Sequence, residues 1–594
     1  MNQALQDAPV NVSGLQSRAS RKSSRRVGLL CALVAGLCIL ATYPVLEMGT
    51  NDDWSYIRTS LDLARTGHLI YNGWATAMLG WQVCWGALFV RLFGFSFFVV
   101  RLSTLPLAMG AAYLQYVIFS WFGVSRRNAV LGTLTVVLSP IFLPVATSFM
   151  TDVPGFFCVL LSFYCCLRAV DAKKTQTAIL WLTFATLVSI MGGTARQIVW
   201  LGALVMVPST AWLLRRGRGV LISTAGLWVA TLLAIVACLY WYGQQPYAIP
   251  ERFVNEKFRW GIFATIVQQA RGTFLTLLLM SLPVLVAYLT AVSNIAKRLI
   301  SKRLLLAVFV MLVLLVAVRA HGDHALVLAP WLPNMITEYG VLGSGALENL
   351  GIKPVVIPVF VRMLLTLLVL AAAAACFAAI FSFRKLQPHT ARRLVPSWPV
   401  TLTLVAPFSV AYLTLLLPRA AFVVTVDRYL IPLAAVLLIP LLRYYQERVQ
   451  ERAPTWSFAV LALFSVFGVV STHDYFATNR ARLSAAEEVR NAGVPRTEIQ
   501  GGWEYDSWTQ LQVAGYINDW RLQNPPGAYH KVDPPNLPEA CRFWFSPDTP
   551  VVTPRYFVVF SPMTCLAASS FAPVRYHTWL PPFNRQIDVQ QLPQ

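Results

Sequence analysis

The chain has 594 residues, 57% hydrophobic and only 12% charged, with a mean hydropathy of +0.58. Soluble globular chains carry about 25% charged residues, so this composition excludes a cytosolic enzyme, a disordered protein and a fibrous repeat. The net charge of +22, from 48 Lys and Arg against 26 Asp and Glu, gathers between apolar stretches. That placement is a membrane-topology signal, not a nucleic-acid footprint.

A transmembrane helix needs roughly 20 mostly apolar residues. About thirteen segments qualify, near 27–46, 99–122, 128–146, 153–170, 177–191, 198–214, 220–242, 272–292, 304–320, 356–383, 398–417, 429–446 and 455–472. The first follows a basic tail over 1–26 containing Arg21, Lys22, Arg25 and Arg26. It runs into Glu47 with no small-residue cleavage site, so it reads as a retained anchor and not a signal peptide. Alternate loops are basic: Arg126 and Arg127, Lys173 and Lys174, Arg215 to Arg218, Lys297 to Arg303, Arg384 to Arg393, and Arg443 to Arg452. The positive-inside rule then puts the N-terminus in the cytoplasm and the C-terminus outside, the expected arrangement of a multi-pass protein in a bacterial inner membrane.

The transmembrane bundle is thus expected over 27–472, with an outer loop at 47–98 and an extracytoplasmic domain at 473–594. In the outer loop, Trp54, Tyr56, Tyr71, Trp74, Trp81 and Trp85 suit amphipathic helices lying in the membrane interface. The tail turns polar and rich in Pro, Trp and Tyr. A helix over 479–491 stopping at Gly493, with β-like runs at 497–503 and 555–560, predicts a small α/β domain. Cys541 and Cys565 lie in this tail and can pair in an oxidising compartment. Seven of the remaining cysteines lie in apolar runs, where packing explains them.

Acidic residues are scarce, so their positions carry information. Asp52 and Asp53 follow directly on the outer end of the first helix, and Asp152 stands just before the fourth helix on the same face. Ionisable groups at a membrane are costly and tend to be functional. A carboxylate pair there can supply a general base or ligate a divalent cation such as Mg or Mn; Asp152 can alternatively be a helix-terminal residue ahead of Pro154. Outer cations oppose the positive-inside trend: Arg196 at a helix mouth, Arg252, Lys257, Arg259, Arg271 and Arg319 in outer loops, and Arg419 and Arg428 around a turn. Arginine forks bind phosphate oxygens bidentately, while the bland alternative is snorkelling to lipid head groups. His321 and His324, with no further placed ligand, are a weak metal signal.

The order Asp52-Asp53-Trp54-Ser55-Tyr56, Arg91-Leu92-Phe93-Gly94 with Arg101-Leu102, Thr151-Asp152-Val153-Pro154, Arg196-Gln197 and Arg428-Tyr429-Leu430-Ile431-Pro432 resembles the GT-C membrane glycosyltransferases. The resemblance is to the protein-mannosyltransferase, aminoarabinose-transferase and Rgt-type group, and it covers roughly residues 27–475. It implies a GT-C-type bundle and a polyprenyl-phosphate-sugar donor used on the outer face. It also implies a protein, glycan or lipid acceptor. Carried over, Asp53 is the acidic residue at the reaction centre with Asp52 beside it, Asp152 is the second acidic position, and Arg428 and Arg196 meet the donor phosphate. The chain departs from the group at Ala75–Trp81, where many relatives have a His-Pro-Pro-Leu-like run.

Two other readings stand beside this one. A transporter for a lipid-linked or anionic solute would use as many helices, but the sequence shows no internal repeat and no mid-membrane charges. A non-catalytic subunit of an envelope complex would use the tail for docking.

Overall fold

The computed structural model describes residues 18–215, 217–250, 260–291, 327–342, 350–351, 353–383, 395–419, 424–533, 538 and 541–593. Nine helices among them are long and apolar enough to cross a membrane, and a small sheet domain follows at the C-terminal end. The chain is an α-helical polytopic membrane protein.

The first helix, α1 (Arg18–Ala41), leads into α2 (Asp53–Thr66), α3 (Gly80–Phe93) and α4 (Phe97–Leu102), then α5 (Thr104–Trp121). α2 and α3 occupy the segment expected to hold amphipathic helices, and neither is long enough to span. Trp54, Tyr56 and Tyr71, expected at the membrane interface, are instead buried against the rest of the protein. Ile57 and Leu61 of α2 share one buried cluster with Val83 and Val90 of α3 and Val100 of α4.

The single helix expected over 128–146 is broken into α6 (Arg126–Val137) and α7 (Phe142–Ala146). Pro140 lacks an N–H and its ring crowds the preceding turn, which places the break. α8 (Asp152–Val170) and α9 (Thr175–Ala195) match their expected spans. The segment expected over 198–214 opens with a 3-10 turn (Gln197–Trp200) and a π turn (Gly202–Met206) before α10 (Val207–Leu213). Close packing bends the chain here: a Cβ on Gly193 would lie 1.9 Å from the Trp200 indole nitrogen, and one on Gly80 2.4 Å from the Thr194 hydroxyl. Glycine lets these backbones meet, as small residues do between membrane helices.

α11 (Arg218–Gly243) follows, and then α12 (Trp260–Met280), which starts well before the expected 272; the rest of that segment is α13 (Leu282–Leu285) and a 3-10 turn (Val286–Ala291). The span expected over 304–320, the basic residues at 297–303 and 384–393, and Arg252, Lys257, Arg259, Arg319, His321 and His324 lie outside the described residues. α14 (Val359–Phe383), α15 (Trp398–Arg419) and α16 (Ile431–Tyr444) complete the bundle with α17 (Thr455–Asn491). The boundary expected at 473 falls inside α17, one helix of 37 residues. No proline interrupts Thr472 to Asn491, so the polar switch ends the membrane stretch without ending the helix.

The tail carries β3 (Ile499–Gln500), α18 (Trp503–Val513), β4 (Tyr556–Val559), β5 (Ala567–Ala568), β6 (Val574–His577) and β7 (Asn584–Gln591); a two-residue hairpin, β1 (Ile336–Thr337) and β2 (Gly340–Val341), precedes them in the bundle. β3 pairs parallel with β4, and β7 pairs antiparallel with β4, β5 and β6. The two expected β-runs are therefore adjacent strands of one mixed sheet. Cys541 and Cys565 are joined, closing the tail across 24 residues.

Asp506, on the first turn of α18, accepts the Gly501 amide at 2.9 Å and the Gln500 side-chain amide at 3.0 Å. Burial pushes its carboxyl up to about 8, against the pull of the Gly501 amide, Arg482, Arg496 and Gln500. The folded chain therefore holds this proton where the unfolded chain, titrating near pH 4, has lost it. Its contribution to stability is complete at low pH and is lost as pH rises from about 4 to about 8. Asp506→Asn keeps the acceptor for Gly501 and, with the Gln500 amide turned over, donates to the Gln500 side-chain carbonyl, which has no partner in the parent. Thermal unfolding of the variant should vary less between pH 5 and 9 than that of the parent, with the gap widest at the alkaline end.

Candidate active site

The chain leaves α1 and turns back at Thr50-Asn51-Asp52-Asp53. Asn51 takes a left-handed conformation at φ 54°, which asparagine tolerates better than most residues, and the Asp53 amide donates to the Thr50 carbonyl. This turn sends two adjacent aspartates in different directions. Asp53 is fully buried and saturated: it accepts the Thr50 amide and hydroxyl, both at 2.7 Å, Arg101 Nε at 2.8 Å and the Phe149 amide at 3.3 Å. Arg101, equally buried, gives its remaining donors to the carbonyls of Leu46, at 2.8 Å, and Met48. The pair fastens the exit of α1, the start of α2 and α4 to one another.

Asp52 faces the other way. It is half-buried, and its carboxylate accepts the Trp74 indole N–H at 3.0 Å. Trp74 packs on Trp503 at 4.7 Å between ring centres, and Trp503 on Trp54 at 5.3 Å. Trp503 opens α18, so the C-terminal domain reaches the first outer loop. Glu504 beside it pairs with Arg482 of α17 at 2.5 Å. Burial raises the Asp52 carboxyl above its ordinary range; the Arg428 charge and the Trp74 hydrogen bond pull it back, and the Glu504 charge pushes it up.

Asp152 stands at the first position of α8, where the partial positive charge of a helix N-terminus favours a carboxylate. It makes no cap hydrogen bond; instead Arg196 Nη1 lies 2.6 Å from Oδ1. Gly155 leaves room for this, since a Cβ there would meet the Arg196 stem at 3.0 Å. The Arg196 guanidinium sits over the Tyr429 ring at 4.8 Å.

Arg428 approaches the same carboxylate from the far side, its Nε 3.9 Å from Asp152 Oδ2. That is too long for a hydrogen bond. Nε and Nη1 of Arg428 are buried and have no hydrogen-bond partner. Its backbone is fixed by Asp427, whose carboxylate accepts the amides of Arg428 at 2.7 Å, Met335 at 3.0 Å and Ile336 at 3.1 Å. Asp427 also lines an apolar cavity of about 220 Å³ between the α6–α7 break, α12, α14 and α17, walled by Met280, Leu332, Leu365, Leu463 and Phe467 among others. The cavity thus reaches Asp427, the residue next to Arg428, whose Nε and Nη1 lack hydrogen bonds. Tyr56, one turn along α2, lies in the combined field of Asp52, Arg428, Tyr429 and Asp152.

Of the five residues singled out from sequence, the structure gathers Asp52, Asp152, Arg196 and Arg428 and turns Asp53 away. A divalent cation shared by Asp52 and Asp53 does not fit this geometry, because Arg101 and Thr50 occupy both Asp53 oxygens. Among the described residues no group of three or more His, Cys, Asp or Glu could hold a metal ion. Sequence reasoning set Trp74 in an interfacial belt and Arg101 in a motif without a role at the site, and gave none to Asp427, Trp503 or Glu504. Arg101 offered a signal, as a cation in the apolar run 97–108.

No protein-family profile and no curated protein matches the chain. Solved structures do. Archaeal oligosaccharyltransferase AglB from Archaeoglobus fulgidus, in complex with an inhibitory peptide and a dolichol-phosphate, is 14% identical over 80% of this chain and 58% of its own, with a TM-score of 0.40. ArnT from Cupriavidus metallidurans bound to undecaprenyl phosphate is 11% identical over 79% of this chain and 72% of its own, at 0.38. The S. cerevisiae protein O-mannosyltransferase Pmt1–Pmt2 complex bound to the sugar donor is 12% identical over 39% of this chain, at 0.33. The match spans about a third of the mannosyltransferase chain, 34%. These are weak likenesses in overall path, and the residue roles rest on this chain's own geometry.

Removing one partner of a buried, saturated ion pair strands the other charge, at a cost of about 3–5 kcal/mol. Arg101→Met should therefore lower the thermal midpoint sharply in detergent. Arg101→Met combined with Asp53→Leu should recover much of that loss, and the double-mutant cycle measures the coupling.

Proposed function

We propose that this protein is a membrane glycosyltransferase that moves a sugar from a polyprenyl-phosphate donor to an acceptor hydroxyl on the face bearing Asp52. The observation that carries the reading is the buried Arg428 guanidinium with two nitrogens lacking hydrogen bonds, beside Asp152 and Arg196 and in the field of Asp52, one residue from Asp427, which lines the apolar cavity. Such a place suits a ligand with a long apolar chain and an anionic head. Arg428 contacts the donor phosphate, assisted by Arg196. Asp152 orients both guanidinium groups and keeps three buried charges from amounting to two bare cations.

Asp52 is the base, and Asp53 positions it. In a single displacement with inversion, Asp52 takes the proton of the acceptor hydroxyl as its oxygen bonds to the anomeric carbon. The bond from that carbon to the phosphate oxygen breaks, and polyprenyl phosphate departs with the electron pair. Charge grows on the phosphate as the bond breaks, and fixed guanidinium donors stabilise it without reorganising. A phosphate leaves without being protonated, so one base and one cationic clamp suffice. No step requires a metal ion. A carboxyl held above its ordinary range is a stronger base than a free aspartate.

Release of sugar from a panel of radiolabelled polyprenyl-phosphate donors, in proteoliposomes with crude envelope acceptors, tests the assignment. Asp52→Asn should lower turnover by about 10²–10⁴-fold with normal folding. Arg428→Met should lower it by roughly 10²–10³-fold, and chelator should leave it unchanged. Near-normal turnover in Asp52→Asn would reject the base. Solute uptake without sugar release would favour a transporter instead.

The rate should fall on the acid side as Asp52 takes up its proton, at a pH above the ordinary carboxylate range. Glu504→Gln removes the like charge that raises Asp52. Its acid limb should move to lower pH, a displacement that a purely structural role for Glu504 would not produce.

A further inference from the structure

The β6–β7 hairpin ends in Thr578-Trp579-Leu580-Pro581-Pro582-Phe583, and its tip is apolar outside with most of its backbone polar groups hydrogen-bonded within. Trp579 is 46% exposed and Phe583 52%, with Pro581 and Pro582 exposed between them. Meanwhile the amides of Trp579 and Leu580 donate to the two Asp474 oxygens at 2.7 and 2.8 Å. The Thr578 amide donates to the Phe583 carbonyl at 2.8 Å, and its hydroxyl serves the Leu580 and Pro582 carbonyls. Arg585 covers the carbonyls of Pro582 at 3.1 Å and Pro581 at 3.2 Å. The two prolines have no N–H to satisfy. A loop in water has no need of this, since solvent meets its polar groups. A loop in lipid must meet them from the protein, while leaving its apolar side chains outward.

The position along α17 agrees. The Trp579 ring stacks on His473 at 3.7 Å, so the tip lies level with that residue. Seven residues further out, about 10 Å along the helix, Arg480 donates to the carbonyls of Tyr43 and Val45 beyond the end of α1. Leu40, Tyr43 and Val45 are exposed there, so the apolar skirt of α1 extends past the level of the hairpin tip. The exposed Trp579 and Phe583 are therefore within the depth that α1 marks as lipid-facing. Arg575, exposed on the same hairpin, carries the charge that anionic head groups attract.

We infer that the tip of the β6–β7 hairpin, Trp579 to Phe583, is inserted among the lipid head groups and upper acyl chains as a second membrane contact of the C-terminal domain. Its partner is the lipid surface of the same membrane that α17 crosses. The inference is independent of the proposed reaction.

The full chain, reconstituted in nanodiscs of phosphatidylcholine and phosphatidylglycerol carrying a diazirine on the upper acyl chain, tests it by peptide mapping of photo-adducts. Adducts on 577–584 should match in yield those on the exposed face of Leu463 and Val466, and the turn at 490–493, about 27 Å further along α17, should be bare. Trp579→Ser with Phe583→Ser should lose the hairpin adducts and keep those at Leu463 and Val466. A bare tip beside labelled Leu463 and Val466 would overturn the inference. So would chemical cross-links from the tip to a second copy of the chain, which would make the surface a protein interface.

Discussion

A single ion pair, Arg101 with Asp53, sets the geometry on which the candidate site depends. Both side chains are cut off from water, which is expensive, and the expense is recovered only when every remaining donor and lone pair finds a partner. Here that condition is met, and the partners come from the turn between α1 and α2 and from the segment ahead of α8. Asp52 is thereby presented at a fixed angle by its saturated neighbour. In the proposed reaction, a base gains more from this stiffness than from any contact of its own.

The opposite wall is built on the reverse principle. Arg428 is anchored through its backbone by Asp427, yet two of its side-chain nitrogens are left without a hydrogen bond. A buried donor without a hydrogen bond is a standing cost, and the chain bears it one residue from Asp427, which lines a cavity of apolar side chains. Saturation on one side and deliberate incompleteness on the other distinguish a framework from a binding place. The same contrast separates Asp53 from Asp52, two neighbours of identical chemistry.

The bundle was largely legible because membrane helices announce themselves by length and apolarity, and the matched spans include 153–170, 220–242 and 398–417. The break at Pro140 was also written in the sequence, though hidden within an apolar run that reads as one span. The placement of Asp52, Asp152, Arg196 and Arg428 on one face followed from the alternation of basic loops. What could not be read was the division of labour within Asp52-Asp53, since the left-handed turn at Asn51 and the arrival of Arg101 decide it. Trp503 and Glu504 were equally hidden: nothing local says that a tail helix will return to a loop near the other end of the chain.

That return has a bearing on how the protein is made. α17 passes from the membrane into the C-terminal domain as one rod, with no linker to let the domain swing. The surroundings of Asp52 stay unfinished until Trp503 and Glu504 have left the ribosome, long after Asp52 itself. Contacts of such long range close late, after local helices have formed and inserted. A partly synthesised chain can therefore sit in the membrane, correctly threaded, with its polar centre still open to water. The last hundred residues act as a seal on the order of assembly.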